Sequence, residues 1–342
     1  MYLDPGGVMT EAHLSSNTLR EAVALASRAP SLFNVQPWRW RAVAGSLELV
    51  LDRSRALPET DPTGRELALS NGAALHHAVL ALRALGWPAR VHRLPNPDEE
   101  ADLLARIDVV AAAEPGEIDL ALAGAACVRQ ADRRQYQPEP VPAPLLRELV
   151  LAGEAAGADV LVAEGDQRYA LAQAFMKASV VHGASERYRR ELAAWTGLSS
   201  VETEGMPEYS SPLHGRQYGD LVVRDYGRVS VAHKEAGSPR TAGSLLLIST
   251  ANDDVAAHLA AGEATSAVLC QAELEGLASC PLSEAFEVPE TRAFVRRAVL
   301  HDAGYPQLAI RVGWPSVSGR PPQTPRRPVR ELLQDLVDRH PD

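Results

Sequence analysis

The chain has 342 residues, of which 46% are hydrophobic and 23% charged, and its formal net charge is -10. This composition suits a globular protein of two ordinary domains or one large fused one, and the acidic balance argues against a nucleic-acid or acidic-membrane surface. Cys127, Cys270 and Cys280 show no C-x-x-C spacing, which fits a reducing cytosol and supplies no metal framework.

Residues 1–15 read as a loose leader without the basic and apolar parts of a signal peptide, so a cytoplasmic location is expected. Thr18-x-x-Glu21 reads as a capping box for a helix with Leu19, Ala22, Val23 and Ala26 on one face, which Pro30 stops near Ala29. Trp38, Trp40 and Ala42 alternate, Ala44-Gly45 turns, and Leu47, Leu49 and Leu51 alternate again, which predicts a hairpin. Residues 52–70 read as a charged, proline-containing connection. Leu75, Ala78, Val79, Leu82 and Leu85 predict a helix over 72–86, closed by Gly86 and Pro88. The longest apolar run, 72–87, contains His76, His77 and Arg83, so no membrane span is expected. Neither histidine has partners at metal-ligand spacing.

A strand is predicted over 103–112, helices over 118–128 and 143–156, a strand over 160–163, and helices over 166–181 and 186–195. Residues 196–240 are rich in Gly, Ser, Pro and Tyr and read as a lid or binding loop, with Met206, Tyr209, His214, Tyr218 and Tyr226 as its flat or apolar contacts. A strand over 245–249, a helix over 253–275, a strand over 308–312 and a short helix over 329–338 complete the chain.

The stretch 28–40 carries the chemistry. Pro30 and Pro37 stiffen it, Ser31, Asn34 and Gln36 offer hydrogen-bonding groups, and Phe33, Trp38 and Trp40 offer flat apolar area. Such a loop suits a flat heteroaromatic ligand. A proline-stiffened connector whose aromatics fill the core is the alternative. Further on, Arg129-Gln-Ala-Asp-Arg-Arg-Gln-Tyr136 is either a solvated charge cluster or a phosphate site, because guanidinium groups make forked contacts to phosphate oxygens.

Pro30-Ser31-x-x-Asn34-x-Gln36-Pro37-Trp38 resembles the Pro-Ser-x-x-Asn-x-Gln-Pro-Trp loop of the FMN-dependent nitroreductase family. More narrowly, the layout resembles the Acg-like single-chain branch of actinobacteria, in which one chain holds two nitroreductase-like halves in place of a homodimer. The resemblance implies an α+β fold of two fused halves, each a mainly antiparallel sheet packed with helices, with boundaries at 1–125 and 126–342. It implies ring contacts from Pro30, Ser31, Asn34 and Gln36, and phosphate contacts from Arg129, Arg133 and Arg134, helped by Arg326 or Arg327. Asp132 departs from the family's Arg-Ser-x-Arg-x-Phe segment. Glu275–Ser279 resembles the family's Gly-Leu-Gly-Ser segment, whose backbone amide faces flavin N5, which implicates Gly276 and Leu277.

The chain also repeats itself: Gly72–Gly86 and Gly262–Gly276 are alanine-rich stretches of one length, each closing at glycine and followed by a proline. The ring-binding loop lies only in the first half and the arginine cluster only in the second, so together they define one FMN site per chain, complete in a monomer. NAD(P)H would bind transiently and leave no fingerprint. No G-x-G-x-x-G, P-loop lysine or G-x-S-x-G motif supports another nucleotide or hydrolase chemistry. The leading expectation is an NAD(P)H-dependent reductase of a small nitro, quinone or related acceptor. The alternatives are a protein that sequesters FMN under a closed lid, and an enzyme that consumes flavin.

Overall fold

The computed structural model describes residues 14–43, 45–110, 112–198, 202–208, 217–224, 226 and 243–335. Helix α1 (Ser16–Ala26) begins where Ser15 Oγ accepts the Thr18 amide at 3.0 Å. The cap therefore stands three residues ahead of the predicted Thr18, and Glu21 instead takes the Asn17 amide group at 2.8 Å. Strands β1 (Trp38–Val43) and β2 (Ser46–Leu51) form the predicted hairpin, with Trp38 and Trp40 wholly buried.

Helix α2 (Arg65–Ala84) starts seven residues before the predicted 72. Gly64, at φ +74°, takes the left-handed conformation that precedes its first turn. Arg65 and Glu66 made this stretch look like a solvated connection, but they are buried and paired with each other. Strands β3 (Ala89–Arg93) and β4 (Leu103–Val109) and helix α3 (Glu117–Val128) follow.

The second part contains α4 (Ala143–Ala155), β5 (Asp159–Ala163), α5 (Gly165–Ala184), α6 (Glu186–Trp195), the short strands β6 (Thr196–Leu198), β7 (Met206–Pro207), β8 (Gln217–Tyr218) and β9 (Leu221–Val222), then β10 (Ser244–Thr250) and α7 (Val255–Leu274). Strand β11 (Ala278–Leu282) and helices α8 (Glu284–Glu287) and α9 (Pro289–Ala298) have no counterpart in the prediction; β12 (Tyr305–Gly313), α10 (Val329–Leu332) and β13 (Leu333–Asp335) close the fold. Within the expected 196–240 loop, the short strands β6 and β7 pair with each other, as do β8 and β9. Tyr209 and His214 lie outside the described residues.

The architecture is α+β. One sheet has the order β13-β1-β2-β4-β3 and the other β11-β12-β10-β5. With β13 set aside, they read β1-β2-β4-β3 and β5-β10-β12-β11, and every neighbouring pair is antiparallel. In each, a 20-residue helix, α2 or α7, links the second strand to the third. These two helices cross at Gly72 and Gly262, where side chains would force them apart. The predicted helix 329–338 is instead one helical turn followed by a strand. Buried Leu332 anchors the turn, and β13 then joins the open edge of β1 in parallel, with Leu333 opposite Trp40. Among the described residues, no helix is long and apolar enough to cross a membrane.

Candidate functional site: a cleft beside the α2–α7 crossing

The close approach of α2 and α7 leaves a cleft beside them, with about 940 Å³ of empty space including its mouth. Helix α2 supplies Glu66, Leu69, Ser70 and Ala73, and α7 supplies Gly262 and Thr265. The loop after α1 supplies Pro30–Phe33, and the end of β11 with its following turn supplies Cys280–Glu284. Phe175, Leu308, Arg311, Arg133, Val223, Arg224 and Tyr226 complete the wall.

The 31–36 loop holds three non-glycine residues at positive φ: Phe33 at +50°, Asn34 at +58° and Gln36 at +52°. Such geometry is costly and persists only where surroundings over-determine it. Here the surroundings come from distant chain. Asn34 Nδ2 donates to Gly205 O at 2.9 Å and Pro325 O at 3.1 Å. Gln36 Nε2 donates to Thr203 O at 2.9 Å, and its Oε1 accepts the Arg327 amide at 2.8 Å. Ser31 Oγ accepts the Gln36 amide at 3.0 Å, closing the loop on itself. Asn34 and Gln36 thus clamp the loop from behind and hold Ser31 and Phe33 at the cleft.

Next to this loop, three arginines converge on the end of α1. Arg129 Nη2 and Arg326 Nη2 both donate to the Arg28 carbonyl, at 3.2 and 3.1 Å, and Arg326 also reaches the carbonyls of Ser27 and Ala29. Arg28 and Arg129 make no ion pair among the described residues. Arg28 Nη2, Arg129 Nε and Gln130 Nε2 are buried donors without an acceptor. Burial lowers the pKa of Arg129, and the Arg28 charge lowers it further. The neighbouring His77 is pushed well below its ordinary range by burial and by the charge of Arg129. This concentration of desolvated positive charge and unfilled N–H groups suits an anion. Among the described residues no cluster could hold a metal; His76 instead bonds Ser266 at 2.9 Å and His77 the Leu25 carbonyl at 3.3 Å.

The α2 N-terminal end of the cleft is acidic. Arg224 ion-pairs with Glu287, bonds the Tyr188 hydroxyl and lies 4.8 Å over the Phe33 ring. His182 stacks on Tyr188 at 4.0 Å, with Nδ1 3.5 Å from Glu284 Oε1. Burial lifts the Glu66 carboxyl to about 7, against the opposing pull of Arg65 and with the help of Glu287 and Asp61.

Comparison with known proteins now decides the family. The Nitroreductase family model matches residues 128–314. The chain is 38% identical over 326 residues to "Putative NAD(P)H nitroreductase Rv3131" of Mycobacterium tuberculosis, covering 93% of this chain and 92% of that protein. The chain belongs to the nitroreductase family. It is also 34% identical to the acg protein of M. tuberculosis, over 97% of this chain and all of that protein. Among solved structures, the FMN-dependent nitroreductase NfnB from Mycobacterium smegmatis in complex with NADPH is similar at 19% identity and a TM-score of 0.37, covering 60% of this chain and 93% of that one. The NfnB of a Sphigopyxis strain is similar at 18% identity and a TM-score of 0.38, covering 62% and 97%.

Of the residues that the nitroreductase resemblance implicated, Pro30, Ser31 and Arg133 line the cleft, and Arg129 and Arg326 meet in the arginine cluster. The others stand elsewhere. Asn34 and Gln36 face Gly205, Thr203, Pro325 and Arg327 rather than the cavity. Arg134 grips Asp132 through both oxygens and donates to Gly319 O at 2.9 Å, so the aspartate that departs from the family pattern holds an arginine. Arg327 is buried, 3.7 Å from Asp52. Gly276 terminates α7 at φ +70°, Leu277 donates back to Ala272 O at 2.8 Å, and neither reaches the cleft. The helix cap uses that glycine, and the strand carries the chain four residues further, so Cys280–Glu284 form the wall. Sequence reasoning missed Arg28, although it opens the central stretch, and missed Glu66, Arg224, Glu284 and Arg311, which no local motif marks.

Proposed function

We propose that this chain is an FMN-binding oxidoreductase that uses NAD(P)H to reduce a small nitro, quinone or related acceptor. The observation that carries the reading is the set of acceptorless buried donors on Arg28, Arg129 and Gln130 beside an apolar-walled cleft. A flavin mononucleotide offers both parts this arrangement calls for, a dianionic phosphate and a flat heteroaromatic ring. Arg28, Arg129 and Arg326 hold the phosphate. Pro30, Ser31 and Phe33 hold one edge of the ring, facing Cys280–Glu284, and Arg133 flanks it with its guanidinium 5.5 Å over the Tyr226 ring. FMN, when bound, supplies the two-electron redox chemistry, while the chain supplies position, charge and exclusion of water. The description of the mycobacterial relatives as NAD(P)H nitroreductases supports the reductant.

The loop 30–33 and the arginines 129 and 133 lie on either side of residue 125, and apart from β13, which crosses from the second part to the first sheet, the two sheets share one topology. That supports two fused halves, 1–125 and 126–342, with one site complete in a monomer. A second reading, flavin held under a lid with little turnover, draws on Val223, Arg224 and Tyr226, which lie on the cleft wall, with Arg224 tied down by Glu287.

The test is the purified protein itself. About one FMN per chain should be released on denaturation, and NADPH should bleach the bound flavin without oxygen. Stopped-flow comparison with a variant whose residues 209–216 are replaced by a short Gly/Ser linker separates the two readings. That excision spares Thr203 and Gly205, which the 31–36 loop needs. Fast bleaching in both proteins supports the reductase; bleaching that speeds up only on trimming supports the lid. A colourless protein that takes up no FMN ends both.

A further inference from the structure

We infer that the acidic end of the cleft is a subsite for a cationic or N–H-donating group on a flat apolar ligand, with Glu66 and Glu284 as its recognition residues. This rests on the redox reading of the cleft and names the class of acceptor that it takes.

Four carboxylates meet at this end: Asp61, Glu66, Glu284 and Glu287, none more than 9% exposed. The cations beside them are already occupied. Arg65 pairs with Glu66 and donates to the Gln307 carbonyl at 2.5 Å and the Phe286 carbonyl at 3.4 Å. Arg224 pairs with Glu287, bonds Tyr188 and reaches Ser283 Oγ at 3.4 Å. Asp61 accepts the Leu67 amide at 3.1 Å. Glu284 and Glu287 each leave a buried carboxylate oxygen, Oε2, without a hydrogen-bond partner, and of the two Glu284 is the one on the cleft wall. It is 3% exposed, and its Oε1 is 3.5 Å from His182 Nδ1. A buried carboxylate oxygen without a donor is a standing demand for one.

The other cations of the cleft belong elsewhere. Arg133 and Arg311 act on the Cys280 thiol, at the β11 wall. Arg311 is directed to the carbonyls of Asp132 and Arg134 and lies 3.8 Å over the Tyr136 ring. The charges that act most on Glu66 are Arg65, Glu287, Asp61 and Arg224. The cleft is therefore polarised, positive toward β11 and negative toward the start of α2. Four carboxylates thus face two guanidiniums and the His182 imidazole, and carboxylates are in the majority. With its carboxyl near 7, Glu66 is about half protonated at neutral pH, and a ligand cation supplies positive charge to the carboxylates around it. Phe33, Phe175 and Leu282 supply the apolar surface for the ligand's body. A bound cation also favours ionised Glu66, so binding near pH 7 expels a proton.

The test is calorimetric titration of the FMN-loaded protein at pH 7 with three probes of one shape: benzamidine, benzamide and benzoate. Benzamidine should bind at least tenfold more tightly than benzamide, and benzoate more weakly than either. The benzamidine heats in phosphate and in Tris should differ by the ionisation of released protons. Glu284→Gln should abolish the preference for benzamidine, and Glu66→Gln should abolish proton release and reduce that preference. Benzoate binding as tightly as benzamidine overturns the inference, as does a preference and proton release unchanged in both variants. Flavin content is read separately on the same samples. A yellow protein without charge preference overturns this inference alone, whereas a colourless protein that still prefers benzamidine upholds it and overturns the FMN reading.

Discussion

Gly72 lies against Gly262 where α2 crosses α7. A methyl group on Gly72 would fall 3.0 Å from the Gly262 Cα and collide with the Leu259 carbonyl; one on Gly262 would collide with the Leu69 carbonyl. The relation is reciprocal, each glycine meeting the carbonyl three residues before the other. The cleft takes its α2 and α7 walls from the residues around this crossing, so its width depends on two missing side chains. Gly72→Ala or Gly262→Ala should therefore destabilise by about 1–3 kcal/mol through overpacking. Gly124→Ala is the control, because nothing lies within 4 Å of its added methyl, and helix propensity favours alanine there by about 1 kcal/mol. Urea denaturation midpoints that rank Gly72→Ala with Gly124→Ala would contradict the close approach.

The arginine cluster should separate FMN from riboflavin. Arg129→Ala is expected to weaken FMN by about 2–5 kcal/mol, as for a buried charged contact, and riboflavin far less. Arg134→Ala should leave both nearly unchanged, since Arg134 is committed to Asp132 and Gly319. Fluorescence titration of the apoprotein reads all four combinations, and equal losses for the two ligands in Arg129→Ala would remove the phosphate role.

Asn34→Ala should behave differently. It deletes the bonds to Gly205 O and Pro325 O, and leaving buried carbonyls unmet costs about 1–3 kcal/mol. The expected result is a lower melting temperature with FMN and riboflavin weakened alike, because the loop loosens. A stable variant with selectively poor ring binding would show instead that Asn34 touches the ligand.

Glu66 makes stability depend on pH. Its carboxyl, ordinarily near 4.5, is raised to about 7 in the folded chain. Below the ordinary value both states are protonated and the contribution is complete. Between the two values only the folded state keeps the proton, so stability falls with rising pH by up to about 1.4 kcal/mol per unit, and the loss is complete above 7. Glu66→Gln cannot lose a proton. Its stability relative to the parent should rise from pH 4.5 to 7 and then level off; a difference flat across that range would refute the shift.

What the sequence disclosed follows from how far each signal reaches. The β1–β2 hairpin and most helix cores were legible from spacing. Pro30 and Ser31 were legible as cleft residues because the loop's chemistry is local. The role of Asn34 was not, since its partners lie 171 and 291 residues away. Arg65 and Glu66 hid a helix start, because a charge cluster in a string of letters looks solvated until its burial is known. Gly276 was visible as a glycine needed for something, but a helix cap and a ligand contact make the same demand on sequence. Arg28 opens the stretch 28–40 but carries no role in the sequence; only the convergence of Arg129 and Arg326 on its carbonyl gives it one.

The β13 strand also places a constraint on the order of synthesis. Residues 333–335 are the last strand among the described residues and they join the first sheet, after Arg326 and Arg327 have fastened the loop at 27–36. On the ribosome, the β1 edge therefore stays unpaired while some three hundred further residues emerge, and a bare strand edge invites wrong partners. Part of the arginine cluster arrives at the same late moment. The 31–36 loop is thus made long before it becomes competent, and a nascent chain stalled before residue 326 should be more easily cleaved in that loop than the released protein.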